Sequence, residues 1–164
     1  MNDVTRDLLE ETQGHVEQAK AKAAKAKKPW QTWIDAELGF RNHWYPASLG
    51  RHIKEGEAIG IILLGEDILV TRQNGKIHAL ENRCPHRGTR FSSRPLFYTK
   101  ETITCWYHTW TFDIEDGSLR TILSSPESKM IGKCKIKVYP VEEKKGVIFI
   151  FVGDIDAPPL HHDV

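Results

Sequence analysis

The chain has 164 residues and a formal net charge of +1, from 23 Lys and Arg against 22 Asp and Glu. That length suits one domain plus an extension, with room for a real core, and the balanced charge gives no reason to expect nucleic-acid or membrane-surface binding. Three cysteines do not make a disulfide framework and point to a reducing cytoplasm; no apolar run is long enough to span a membrane, no signal-peptide core is visible, and Asp3, Asp7, Glu10, Glu11 and Glu17 are too acidic for an organelle transit peptide.

Residues 3–28, rich in Ala, Lys, Glu and Gln, predict a helix that Pro29 ends. Val4, Leu8 and Val16 give it a thin apolar stripe. The basic run Lys20, Lys22, Lys25, Lys27 and Lys28 suits a solvated helix face first and a docking patch for an acidic redox partner second. Trp30, Trp33, Ile34 and Leu38 form a second short amphipathic stretch, with Gly39 as its C-cap. From Phe40 onward the period changes to that of strands. Ile59–Leu64 is an apolar run, Asp67–Thr71 and Lys76–Leu80 are expected to alternate, and Asn74-Gly75 between the last two is a strong hairpin signal. Ile103–Trp106, Thr111–Ile114, Lys135–Tyr139 and Val147–Val152 complete the predicted strands, and Asp116-Gly117 and Lys145-Gly146 mark turns. Short strands, frequent turns and no helical pattern after residue 40 predict a mostly β, antiparallel sandwich or barrel. No internal repeat is visible.

The chemistry gathers in residues 84–108. Cys84-Pro85-His86-Arg87-Gly88 opens the stretch and Cys105-Trp106-Tyr107-His108 closes it, with eighteen residues, Arg87 to Thr104, between the arms. Two thiolates and two imidazoles suit either tetrahedral zinc or a mixed-ligand [2Fe-2S] cluster. The order of ligands separates the two. A common zinc finger has both cysteines in its first arm and both histidines in its second. Here each arm carries one of each, so the cysteines can hold one iron and the histidines the other. The predicted cofactor and metal ligands are therefore Cys84, His86, Cys105 and His108. Gly88 lets the first loop approach the cluster closely. Arg87, Trp106, Tyr107 and Trp110 surround the arms, either as shielding and docking residues or as ordinary packing.

The two arms resemble the Rieske iron–sulfur motif. Leu38 to Pro46, Ile103 to His108, and Tyr139-Pro140-Val141 followed by Lys145-Gly146 are similar to the N-terminal Rieske domain of aromatic ring-hydroxylating terminal oxygenases of the carbazole-dioxygenase and oxoquinoline-monooxygenase type. The resemblance covers roughly residues 36–160. It implies a Rieske-type sandwich over 36–157, a helical extension over 1–35, and a tail at 158–164 that begins a linker to a catalytic domain. It further implies an oxidoreductase system in which a ferredoxin or an NADH-dependent reductase supplies electrons and an oxygenase catalytic domain accepts them. The family is a homotrimer held by contacts between Rieske and catalytic domains, which leaves an isolated Rieske domain free to be monomeric. By the same resemblance His108 would bond an aspartate beside the mononuclear iron of a neighbouring subunit. Replacing two thiolates with neutral imidazoles raises the potential of such centres to between about −150 and +300 mV. Neither arm has a second cysteine, and no Ser or Tyr stands where the high-potential respiratory type donates hydroxyls to sulfur. A potential near the low end is expected.

Three further candidates are weaker. Cys134 reads as a small buried hydrophobe, and His43 as a structural histidine in a tightly packed opening segment. His161, His162 and Asp163 have the composition of a facial triad, yet adjacent side chains do not readily converge on one metal. No D-x2-H-x3-4-H pattern for a mononuclear Fe(II) occurs in the sequence, so this chain alone is not expected to activate oxygen, and no residue is assigned as catalytic. Besides a Rieske part of an oxygenase, two readings remain: a self-contained Rieske ferredoxin serving a separate oxygenase, which is usually shorter and begins near its first strand, and a zinc-stabilised interaction domain, which the ligand order disfavours.

Overall fold

Runs of β-branched and aromatic residues punctuated by two-residue turns dominate the chain after residue 40, and they fold as strands. The computed structural model describes residues 41–153. The expected helix at 3–28, the stretch Trp30–Gly39, the tail histidines and both domain boundaries lie outside the described residues. Among those described, ten strands form three antiparallel sheets. The first sheet takes β1 (His43–Leu49), β10 (Val147–Val152) and β9 (Val141–Lys144), in that order. The second is β2 (Ala58–Leu63), β3 (Glu66–Gln73), β4 (Lys76–Glu81) and β8 (Val138–Tyr139). The third is β5 (Thr102–Thr104), β6 (Trp110–Asp113) and β7 (Leu119–Ile122). The described helical structure is limited to two 3-10 turns, Gly50–His52 and Phe91–Ser93.

The second sheet is the middle layer. One face sends Ile68, Val70, Ile77 and Ala79 into a core shared with Ile148, Ile150 and Val152 of β10. The other sends Leu69 and Leu80 into a second core with Ile103, Phe112, Leu119 and Ile122 of the third sheet. This corrects the expected alternation over Asp67–Thr71: Ile68, Leu69 and Val70 are all fully buried, because a strand covered on both faces needs apolar residues in succession. The second core also holds Cys84 and Cys105.

Three hairpins turn on two residues with positive φ: Leu64-Gly65, Asn74-Gly75 and Lys145-Gly146. That geometry matches the right-handed strand twist. Leu64 therefore belongs to a turn, and the run expected to extend through it stops at Leu63. Likewise Trp106 leaves the predicted third-sheet strand, which ends at Thr104, and Lys135–Tyr139 is a strand only at Val138–Tyr139. Strands β1, β7 and β9 were not anticipated. Pro46 lies within β1, where it registers with Phe149 next to a bulge; the strand is an outer one, so the missing N–H breaks no second ladder. His43 opens β1 as an exposed residue, its Nδ1 3.0 Å from the Arg41 carbonyl, while Tyr45 and Ala47 of the same strand pack against the first core. Cys134 is half-buried and packs against the second core.

Gly117 gives a direct test of the turn chemistry. Its φ is +71°, and a Cβ there would meet the Ile136 carbonyl oxygen at 2.1 Å. Gly132 has φ +74° with nothing within 4 Å. Gly132→Ala should cost only the backbone strain, about 1–3 kcal/mol, and Gly117→Ala distinctly more. Urea denaturation of the two variants reads the difference as the clash.

Candidate metal centre

The first arm leaves β4 through Asn82, which is 1% exposed. Its Nδ2 donates to Asp67 Oδ1 and to Ser92 Oγ, each at 2.8 Å, and its Oδ1 accepts the Ser92 N–H at 2.9 Å. Its backbone is used as fully: Asn82 N–H donates to the Asp67 carbonyl and Phe91 N–H donates to the Asn82 carbonyl. One side chain thus pins both ends of the loop 83–91. Asp67 Oδ2 completes the neck by accepting from Arg83 Nε at 2.8 Å and Arg90 Nε at 2.7 Å. Burial works against the Asp67 charge, but the bonds from Asn82 and Arg90 and the nearby Arg83 outweigh it, and the carboxyl lies below the ordinary 3.8.

The arms share one backbone conformation. Cys84 N–H donates to the Thr89 carbonyl and Gly88 N–H returns to the Cys84 carbonyl; Cys105 N–H donates to the Trp110 carbonyl and Thr109 N–H returns to the Cys105 carbonyl. The residue four beyond each cysteine has positive φ, +67° at Gly88 and +57° at Thr109. This is a repeat of conformation that the sequence hides, because a glycine occupies one position and a threonine the other. In the second arm Thr109 Oγ1 donates to the His108 carbonyl at 2.8 Å and accepts the Ser124 N–H at 3.2 Å, while Ser124 Oγ donates to the His108 carbonyl at 3.3 Å.

These loops bring the four predicted residues together. Cys84 and Cys105 are 1% and 2% exposed, and the Cys84 thiol lies within the electrostatic reach of Cys105 and of the His86 and Arg87 backbone. Burial, first, and the neighbouring Cys105 push the Cys84 thiol up to about 12. The imidazoles of His86 and His108 lie further out, 4.7 Å apart between centroids and inclined at 65°. His86 is exposed and His108 half-buried. Desolvation, then His108 and Arg87, hold His86 below the ordinary histidine range. Trp110 stacks on His86 at 5.0 Å and 5°, and Tyr107 lies 3.9 Å from His108. Trp106 and Tyr107 are themselves exposed, so they form the outer rim, while Trp110 is half-buried beneath it. Arg87 is exposed on the first loop.

One atom of the donor set lacks a partner that a metal would supply. His108 Nδ1 is buried and has no hydrogen-bond partner among the described residues. A buried imidazole nitrogen in that state is costly unless something binds it. The inner thiols and the outer imidazoles sort into two pairs of unlike donors. A centre with two irons, one soft and thiolate-bound and one imidazole-bound, fits that arrangement.

The Rieske [2Fe-2S] domain model matches residues 43–140. This chain belongs to that family. The Rieske domain takes a [2Fe-2S] cluster as its cofactor. Among curated relatives, the terminal oxygenase component CarAa of carbazole 1,9a-dioxygenase from Metapseudomonas resinovorans is 52% identical over 139 residues, 85% of this chain and 36% of that protein. The terminal oxygenase of carbazole 1,9a-dioxygenase from Nocardioides aromaticivorans IC177 superposes with a TM-score of 0.78 at 44% identity, covering 85% of this chain and 38% of that one. The oxygenase in its reduced complex with ferredoxin, also of carbazole 1,9a-dioxygenase, gives a TM-score of 0.75 at 53% identity over 80% of this chain and 34% of that one. This chain thus spans little more than a third of the length of these relatives. The expected resemblance to ring-hydroxylating terminal oxygenases is borne out. No helix among the described residues is long and apolar enough to cross a membrane.

Sequence reading missed Asn82, Asp67, Thr109 and Ser124, which carry no motif and reveal themselves only through their bonds. Asp67 is testable by pH. Its folded pKa is depressed, so its contribution is present above the unfolded value and is lost as pH falls through the folded one. Wild type should exceed Asp67→Asn by about 1–3 kcal/mol at pH 7, and the gap should close as pH drops below the ordinary carboxylate range, measured by urea denaturation across a pH series.

Proposed function

We propose that Cys84 and Cys105 bind one iron of the [2Fe-2S] cluster and that His86 and His108 bind the other. The observation that carries this reading is the orphaned His108 Nδ1, buried beside the His86 ring over two packed thiols. The cluster, when bound, supplies a one-electron redox centre. The chain's residues do the rest: the second core keeps the sulfurs dry, the His86 and Arg87 backbone favours the Cys84 thiolate against its burial, and the imidazoles lead from the site toward the surface.

On this reading residues 36–157 form the electron-transfer domain of an aromatic ring-hydroxylating oxygenase in the cytoplasm, with residues 1–35 as an extension and 158–164 leading onward. Electrons come from a ferredoxin or an NADH-dependent reductase and pass to a mononuclear iron held outside these residues, where an aromatic or N-heterocyclic ring is hydroxylated. The carbazole-oxygenase relatives, one of them in complex with ferredoxin, support this over a self-contained Rieske ferredoxin. The whole assembly is a homotrimer if it follows the resembled oxygenases.

Purified protein should contain two irons and two acid-labile sulfides per chain and no zinc; zinc without sulfide would sink the redox reading. Cys84→Ser and Cys105→Ser should each lose the cluster. His86→Cys or His108→Cys should retain an iron–sulfur centre at lower potential, since a thiolate restores negative charge. An unchanged midpoint in redox titration would refute the ligand assignment.

A further inference from the structure

We propose that Trp110 is a positioning residue that sets the plane of the His86 imidazole, and does so from a backbone already committed to the opposite arm. The proposal rests on His86 being a cluster ligand, as argued above. A ligating imidazole tunes its metal through the orientation of its ring, and that orientation comes from contacts outside the ligand itself.

The two imidazoles differ in what holds them. His108 is half-buried, with Tyr107 3.9 Å away and its carbonyl tied by the Thr109 and Ser124 hydroxyls. His86 is exposed on the first loop, so burial does not fix its ring. What lies along its face is the Trp110 indole, parallel within 5° at 5.0 Å, an offset stack of the favoured kind.

Trp110 is in turn anchored. It opens β6, registers with Ile122 of β7, and its carbonyl accepts the Cys105 N–H at 2.8 Å. Its indole lies 6.3 Å from Phe112, which meets Phe91 edge-on at 5.8 Å in the core. The chain of contact therefore runs from the buried aromatic core through Trp110 to the solvent-side imidazole. The residue whose main chain shapes the Cys105 turn holds the ring of the other arm. The outer ring of the first arm is registered to the second arm by a flat surface, with no hydrogen bond needed.

The test uses the holoprotein with Trp110→Leu, which keeps an apolar side chain but removes the flat face, and Trp110→Phe, which restores a face. Pulsed electron paramagnetic resonance of the reduced protein resolves the nitrogen couplings of the two histidines. In Trp110→Leu, iron and sulfide should stay at two each per chain while one nitrogen coupling shifts and the other holds. Trp110→Phe should return the shifted coupling to the wild-type value. Wild-type couplings in Trp110→Leu with a full cluster would overturn the positioning role, as would equal shifts at both nitrogens or a shift that Trp110→Phe does not reverse. A wild-type protein with no histidine nitrogen coupling would overturn the ligand reading itself, a different failure. Should Trp110→Leu fail to assemble, Trp110→Met, which also removes the flat face, takes its place: a shift at one nitrogen that Trp110→Phe does not show supports the role, and wild-type couplings overturn it.

Discussion

On the proposed ligand set, one demand governs this end of the domain: two sulfurs must be kept dry while two imidazoles, only two or three residues along the same loops, reach toward water. The thiols satisfy the first half by being core residues in their own right, packed with Phe91, Ile103 and Phe112. Burial alone would favour neutral thiols, as the raised Cys84 shows, so the pocket suits thiolates only when a cationic group is present to stabilise them. The imidazoles satisfy the second half because each arm turns back within five residues. The middle sheet makes both possible. It is covered on both faces, and the first arm springs from the end of its β4.

The arms use the same turn but different anchors. The first is tied by charge: Asp67 holds Arg83 and Arg90, each nearly half exposed. Exposed ion pairs contribute little one at a time, yet this carboxylate is largely buried, serves both arginines and also bonds the fully buried Asn82. That sharing makes it a structural joint, since its loss would leave a buried amide short of a partner. The second arm is tied by neutral hydroxyls, Thr109 and Ser124, on a single carbonyl. Charge sits on the loop that carries the exposed histidine, and neutral bonds sit on the loop whose histidine is half-buried.

Much of this was legible in the chain. Cys84, His86, Cys105 and His108 stood out because their spacing places one thiolate and one imidazole in each arm, and the fold class followed from turn pairs such as Asn74-Gly75 and Lys145-Gly146. The strands missed are those whose residues are set by their neighbours more than by themselves. β9 is Val-Glu-Glu-Lys, too polar to announce itself, and it exists because β10 offers it a ladder. β1 contains a proline that only an outer strand tolerates. Asp67 and Asn82 could not be read because their meaning is a contact across fifteen residues of chain.

Thr109 shows how local cost is absorbed at such a site. A β-branched residue at positive φ is strained by about 1–3 kcal/mol, and the matching position of the first arm uses glycine, which adopts that conformation freely. Thr109 offsets the strain through its hydroxyl, which donates to the His108 carbonyl and accepts the Ser124 N–H, bonds each worth about 0.5–1.5 kcal/mol. It also avoids the extra backbone entropy that glycine loses on folding. The sums nearly cancel, so stability does not choose between the residues. What differs is rigidity. A glycine there would leave the turn free of side-chain ties, whereas threonine fastens the loop behind His108 to the segment at Ser124. The first arm can use glycine because Asn82, Asp67 and the Trp110 face already hold it from three sides.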